Sequence, residues 1–117
     1  MLKIFDELKS ILDKPLIDIN AKNIDYDNVI LFELDEIIKN RTVTTRCNVY
    51  NLLVNLYFIT KENDPDHSKN CLNILKTLEL HHATAIKKIT YSQLIIINAS
   101  KFFVSKFELV FENFTPN

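Results

Sequence analysis

Glycine is absent from these 117 residues, and so is tryptophan. Average glycine usage of ~7% would supply about eight. Without glycine neither a P-loop nor a dinucleotide-binding turn can form, because both need backbone that approaches phosphate closely. Cysteine is scarce, with Cys47 and Cys71 alone. They make no CxxC pair and no zinc spacing. Each lies in an apolar segment, where a free thiol is a small buried hydrophobe, and a reduced, intracellular setting is the default. Long apolar runs are missing too. Runs such as "LIII" and "LYFI" reach only four residues, far below the ~20 residues that span a bilayer. The start "MLKIFDELKS" is too acidic for a signal peptide. A soluble protein with no membrane partner is expected. Net charge is small, at -1, so no general attraction to nucleic acid exists and no specific nucleic-acid partner is expected.

What is present is ordinary for a folded chain: 47% hydrophobic and 25% charged residues. That length and composition predict a single domain over 1–117, with 114–117 frayed. Asparagine occurs thirteen times and can take the turn and cap positions that glycine leaves vacant. Charge is uneven. Residues 1–40 carry nine acids against five lysines, and the remainder carries nine bases against six acids. Scatter explains that division, and so do two complementary surfaces suited to head-to-tail self-assembly.

Periodicity gives the elements. "LKIFDELKSILD", residues 2–13, puts Leu2, Phe5, Leu8, Ile11 and Leu12 on one helical face, and Pro15 ends the helix. "PLIDINAKNIDYDN" is turn-rich, with room for a short strand near Leu16–Ile19. In "VILFELDEI", Ile30, Phe32 and Leu34 alternate with Leu31, Glu33 and Asp35, a strand pattern. Residues 35–40 fit a helical turn equally well. Residues 42–60 favour a long strand, with Tyr50, Leu52, Val54, Leu56 and Phe58 on one face. Cys47, Asn51, Leu53, Asn55 and Tyr57 take the other, and an amphipathic helix is the rival. Asp64 then caps a helix and Pro65 fits its first position, with a stripe of Cys71, Leu72, Leu75 and Leu78 ending near Leu80. "HHATAIKKIT" reads as a connection or a short strand. "YSQLIIINA" and "KFFVSKFELVFEN" form a final strand pair, turned at Asn98–Lys101. Phe103, Phe107, Leu109 and Phe111 share one face of the last strand, against Lys106, Glu108 and Glu112. The order α-β-β-α-β-β predicts an α+β fold: a mainly antiparallel sheet, with the N-terminal helix and a second helix packed on one face.

Chemistry-bearing residues are few. His67, His81 and His82 lack metal-ligand spacing and read as exposed or loosely packed. His67 and Cys71 stand four apart on one helix side, the one arrangement that offers a cysteine nucleophile, but Cys71 reads as core beside Leu72 and Leu75. Glu33 and Asp35 share a strand side without a hydroxyl or basic partner and read as a solvated face. Lys39, Arg41 and Arg46 mark a loop, and Lys87 and Lys88 read likewise. The phenylalanines at 102, 103, 107, 111 and 114 read as core. Apolar residues on both sides of the last strand suggest burial against another subunit. No catalytic, cofactor-binding or metal-binding residue is assigned, no cofactor is expected, and no enzyme activity is expected.

In order of elements, "LKIFDELKSILD", "NLLVNLYFITKENDPDHSKNCLNILKTL" and "KFFVSKFELVFE" resemble the small tail-terminator (tail-completion) proteins of long-tailed bacteriophages, including the minor tail protein U group. That resemblance implies a ring-forming structural protein, often hexameric, that caps the tail tube and meets the head connector. It implies phage tail and connector partners, and a place in the host cytoplasm during assembly and then in the virion. An immunity- or antitoxin-like module that neutralises one partner through its acidic N-terminal part is the competing expectation. An enzyme using His67 or Cys71 is a third, weaker one.

Overall fold

The computed structural model describes residues 3–39, 50–82 and 85–114. Helix α1 (Lys3–Ile11) leads into strands β1 (Leu16–Asp18), β2 (Val29–Lys39) and β3 (Tyr50–Lys61). Helix α2 (His67–His82) then precedes β4 (Ile86–Ile97) and β5 (Ser100–Phe114). One sheet runs in the order β1-β2-β3-β5-β4. Only β1 and β2 pair in parallel; the other three pairs are antiparallel. The fold is α+β, as the patterning predicts.

Both helices bury their apolar sides on the same sheet face. Ile4, Phe5, Leu8 and Leu12 from the α1 region and Cys71, Ile74 and Leu78 from α2 meet Leu52, Val54, Leu56 and Phe58 of β3 and Phe107, Leu109 and Phe111 of β5. Burying each larger side chain there contributes about 1.5–3 kcal/mol. The predicted α2 stripe needs one correction. Leu72 is half exposed, and Ile74 takes the core position. The helix also runs to His82, beyond Leu80.

Its start is displaced: the helix begins at His67, and Pro65 lies in the turn before it rather than at the first helical position. The Asp64 carboxylate accepts the Asp66 N–H at 2.8 Å, and Asn70 N–H donates to the Asp66 carbonyl at 2.9 Å. The last hairpin turns on Asn98, at φ 50°, followed by Ala99 at φ 66°. Asn23 and Asn28 also take positive φ, the role that asparagine fills in a chain without glycine.

Other expectations change. A strand at β1 makes the order α-β-β-β-α-β-β, one strand more than the order read from the sequence. The ambiguous segment after α2 becomes the first half of β4. Residues 35–39 stay in β2 rather than turning helical, and 50–61 are strand, which removes the helical rival there. Residues 42–49 lie outside the described residues. A register shift between Leu34 and Glu36 breaks the simple alternation of β2. Beyond it Ile37 pairs with Leu52 on the helix side, while Glu36 pairs with Leu53 on the other.

The second sheet face is divided. At one end Val29, Leu31, Ile59 and Val104 pack under Ile19, Ile24 and Tyr26 of the β1–β2 connection. The rest is polar.

Candidate functional site

Two hydrogen-bonded clusters and two open sheet edges contain the chemistry of the described residues. The first cluster is buried. His67, only 4% exposed, stacks on Phe58 with ring centroids 5.0 Å apart. Its Nδ1 lies 2.7 Å from Thr60 Oγ1, and its Nε2 lies 2.8 Å from Ser105 Oγ. Thr60 Oγ1 donates to the Lys61 carbonyl at 3.3 Å, so its oxygen is left to accept from Nδ1–H while Nε2 accepts from Ser105. Burial lowers the pKa of His67 against a weaker opposing pull from Asp64, which suits this neutral ring. Cys71 hydrogen-bonds Ser105, but burial pushes its thiol up.

The burial of His67 runs against the expectation from sequence. His67 is neither exposed nor loosely packed; β3, α2 and β5 enclose it. The Cys71–His67 pair does converge, through Ser105, yet Ser105 is fully buried and Cys71 nearly so. A protonated thiol sealed from solvent is poorly suited to nucleophilic attack. The convergence of Thr60 and Ser105 on His67 was missed, although both fall on the helix-facing side of their strands. His81 is exposed and His82 packs edge-on against Phe111, so the adjacent histidines diverge. Among the described residues no group of three or more His, Cys, Asp or Glu is placed to hold a metal ion.

The second cluster crosses the polar sheet face. Glu33 Oε1 accepts from Asn55 Nδ2 at 2.9 Å and from the Tyr57 hydroxyl at 2.8 Å. These two hydrogen bonds hold the Glu33 carboxyl below the usual glutamate range. Burial, followed by the Glu33 contact, pushes Tyr57 up to about 12. Lys106 Nζ sits 5.8 Å from the Tyr57 ring centre and 3.3 Å from Glu108. Glu33 therefore has the hydroxyl partner that the sequence reading denied it. At neutral pH the carboxylate stays charged and the phenol stays protonated, so neither is tuned for proton transfer. Asp35 stays exposed on the strand.

The sheet edges are the least satisfied features. No described strand pairs with the outer side of β4, where Leu94 is 51% and Ile96 65% exposed. Lys87 and Lys88, which the sequence places in a loop, are exposed on this same strand instead. At the opposite edge β1 covers only Ile30–Phe32 of β2. From Glu33 to Lys39 no described strand lies outside β2, and Ile37 and Ile38 are exposed. A groove of about 420 Å³ opens where β1 stops, lined by Phe5, Phe32 and Leu34 with Asp18 and Asn20. Lys39, expected in a loop, is instead the exposed last residue of β2; Arg41, Arg46 and Cys47 lie outside the described residues. Among the described residues no helix is long and apolar enough to cross a membrane. Comparison with protein-family models and with curated proteins finds no match to this chain.

Proposed function

We propose that this chain is a structural assembly protein that associates with copies of itself, specifically a phage or prophage tail-completion protein forming a ring at the end of the tail tube. The observation that carries self-association is the twelve-residue edge strand β4 with Leu94, Ile95 and Ile96 in solvent. An unpaired edge with exposed aliphatic side chains is a template for another chain. The absence of a tuned, accessible acid–base or nucleophilic group among the described clusters fits a role without a reaction. The tail assignment draws on the resemblance in element order, in which the N-terminal helix, the strand-to-helix unit and the closing strand pair succeed one another. It brings other tail or head-connector proteins as partners, in the host cytoplasm during assembly and then in the virion.

Light scattering coupled to size exclusion, over a wide concentration range, tests self-association. A defined oligomer, visible as rings by negative-stain microscopy and binding to tail-tube ends, is the expected result. A strict monomer at the highest concentration overturns it. A second reading draws on the exposed Asp6, Asp13, Asp35 and Glu36. An immunity- or antitoxin-like module would use such carboxylates against one basic protein partner, and it predicts that monomer or a simple dimer.

A further inference from the structure

The two ends of the sheet differ in charge as well as position. β4 carries Lys87 and Lys88 and no acid. The uncovered part of β2 carries Glu33, Asp35 and Glu36 against Lys39. Each edge adds aliphatic side chains to its charge: Leu94, Ile95 and Ile96 on β4, and Ile37 and Ile38 on β2. Each also lacks a described strand neighbour, so its outward backbone N–H and C=O groups have no described ladder partner. The groove beside β2, with its phenylalanine and leucine lining and Asp18 and Asn20, lies where the β1 pairing ends.

We propose that the β4 edge of one copy adds to the open β2 edge of the next, continuing the sheet from subunit to subunit. This rests on the self-association proposed above and names the surface that performs it; it does not depend on the phage assignment. Opposite charge selects the pairing, and the aliphatic residues of both strands are covered by it. The contact joins two different surfaces, so it is heterologous. It closes into a ring when the rotation per subunit divides a full turn, and otherwise grows as a filament. Pairing of β4 with a second β4 is the symmetric competitor. It would consume one edge, stop at a dimer and leave the β2 acids unused.

Charge reversal separates these outcomes. One variant carries Asp35→Lys and Glu36→Lys, and the other carries Lys87→Glu and Lys88→Glu. All four side chains are exposed, so both variants are expected to keep the wild-type circular dichroism spectrum and cooperative melting. Light scattering should show each variant associating roughly tenfold more weakly than wild type, or worse. Mixing the two variants should restore assembly, because each edge then faces its complement across copies. A chain with all four reversals should assemble alone. Wild-type assembly that survives both variants unchanged overturns the edge pairing and leaves self-association standing. A wild-type dimer that persists in both charge variants but is lost with Leu94→Ser and Ile96→Ser overturns it in favour of β4 with β4, where reversing like charges on both copies changes little. A wild-type chain that stays monomeric removes self-association itself. Should either variant melt non-cooperatively, Leu94→Ser with Ile96→Ser, both exposed, supplies the same test from the apolar side; unchanged assembly there again overturns the pairing.

Discussion

Ser105 and Lys106 are adjacent on β5, yet they belong to clusters governed by opposite rules. Ser105 joins Thr60, His67 and Cys71 on the helix-covered face, where every polar atom must find a partner within the protein. Lys106 joins Glu33, Asn55, Tyr57 and Glu108 on the other face, where all but the buried Asn55 stay partly open to water. Thr60 and Tyr57 divide β3 in the same way. The period of two in a strand is enough to send neighbours to different dielectric surroundings. Similar hydrogen-bond lengths therefore carry different weight: the buried network is costly to break, and the partly open one less so.

The sharpest way to break that contrast is His67→Ala. It removes the ring stacked on Phe58 and takes one hydrogen bond each from Thr60 and Ser105, which keep the Lys61 carbonyl and Cys71 as partners. A loss of about 2–4 kcal/mol is expected in urea unfolding, from the cavity and the lost buried hydrogen bonds together. A loss under about 1 kcal/mol would show that water enters and replaces the ring.

Acid titration of stability should then resolve the two clusters. The folded pKa of His67 lies below its ordinary 6.5, so the unfolded chain takes up the proton first. Its contribution is complete above about pH 6.5 and declines as pH falls below that value. The Glu33 carboxyl is also lowered, from 4.5, so its contribution is lost only in the more acid range. His67→Ala should remove the upper part of the profile and Glu33→Gln the lower part. One shared step abolished by either variant would mean that the clusters are coupled through the sheet.

Tyr57→Phe has a smaller expected effect, about 0.5–1.5 kcal/mol for one hydrogen bond at a partly open site. Its clearer readout is spectroscopic. Among the four tyrosines, Tyr57 should ionise near pH 12, and the ultraviolet titration of the variant should lack that step. The stability that it contributes is complete below about pH 10 and fades as pH rises towards 12. Lys106→Ala is expected to matter least, about 0.2–1 kcal/mol, since the Glu108 pair is partly exposed and screened by salt.

Much of the fold was legible because its signals are local. Phe5, Leu8 and Leu12 recur at helical spacing, Asp64–Pro65 sets up the start of α2, and Asn98 takes the left-handed angle that a tight hairpin requires. The core face of β3 was legible for the same reason, with Leu52, Val54, Leu56 and Phe58 two apart. The candidate site was much less so. Asn55 and Tyr57 were placed on one strand face, but nothing local says that Glu33 stands across from Asn55. The register shift near Asp35 was equally hidden, because its partner strand decides it. His67 looked like a turn residue because three segments distant in sequence are needed to enclose it.

Residue pattern alone was enough for most element types, for their order apart from β1, and for which side chains prefer to leave water. Those follow from backbone sterics, periodicity and transfer from water, all of which act within a few residues. Tertiary structure alone decided the strand order, the burial of His67 between Thr60 and Ser105, and the placement of lysines and acids at opposite edges of the sheet. Those depend on which strands become neighbours, and the energy that selects neighbours is shared over the whole packed sheet rather than written into any one segment.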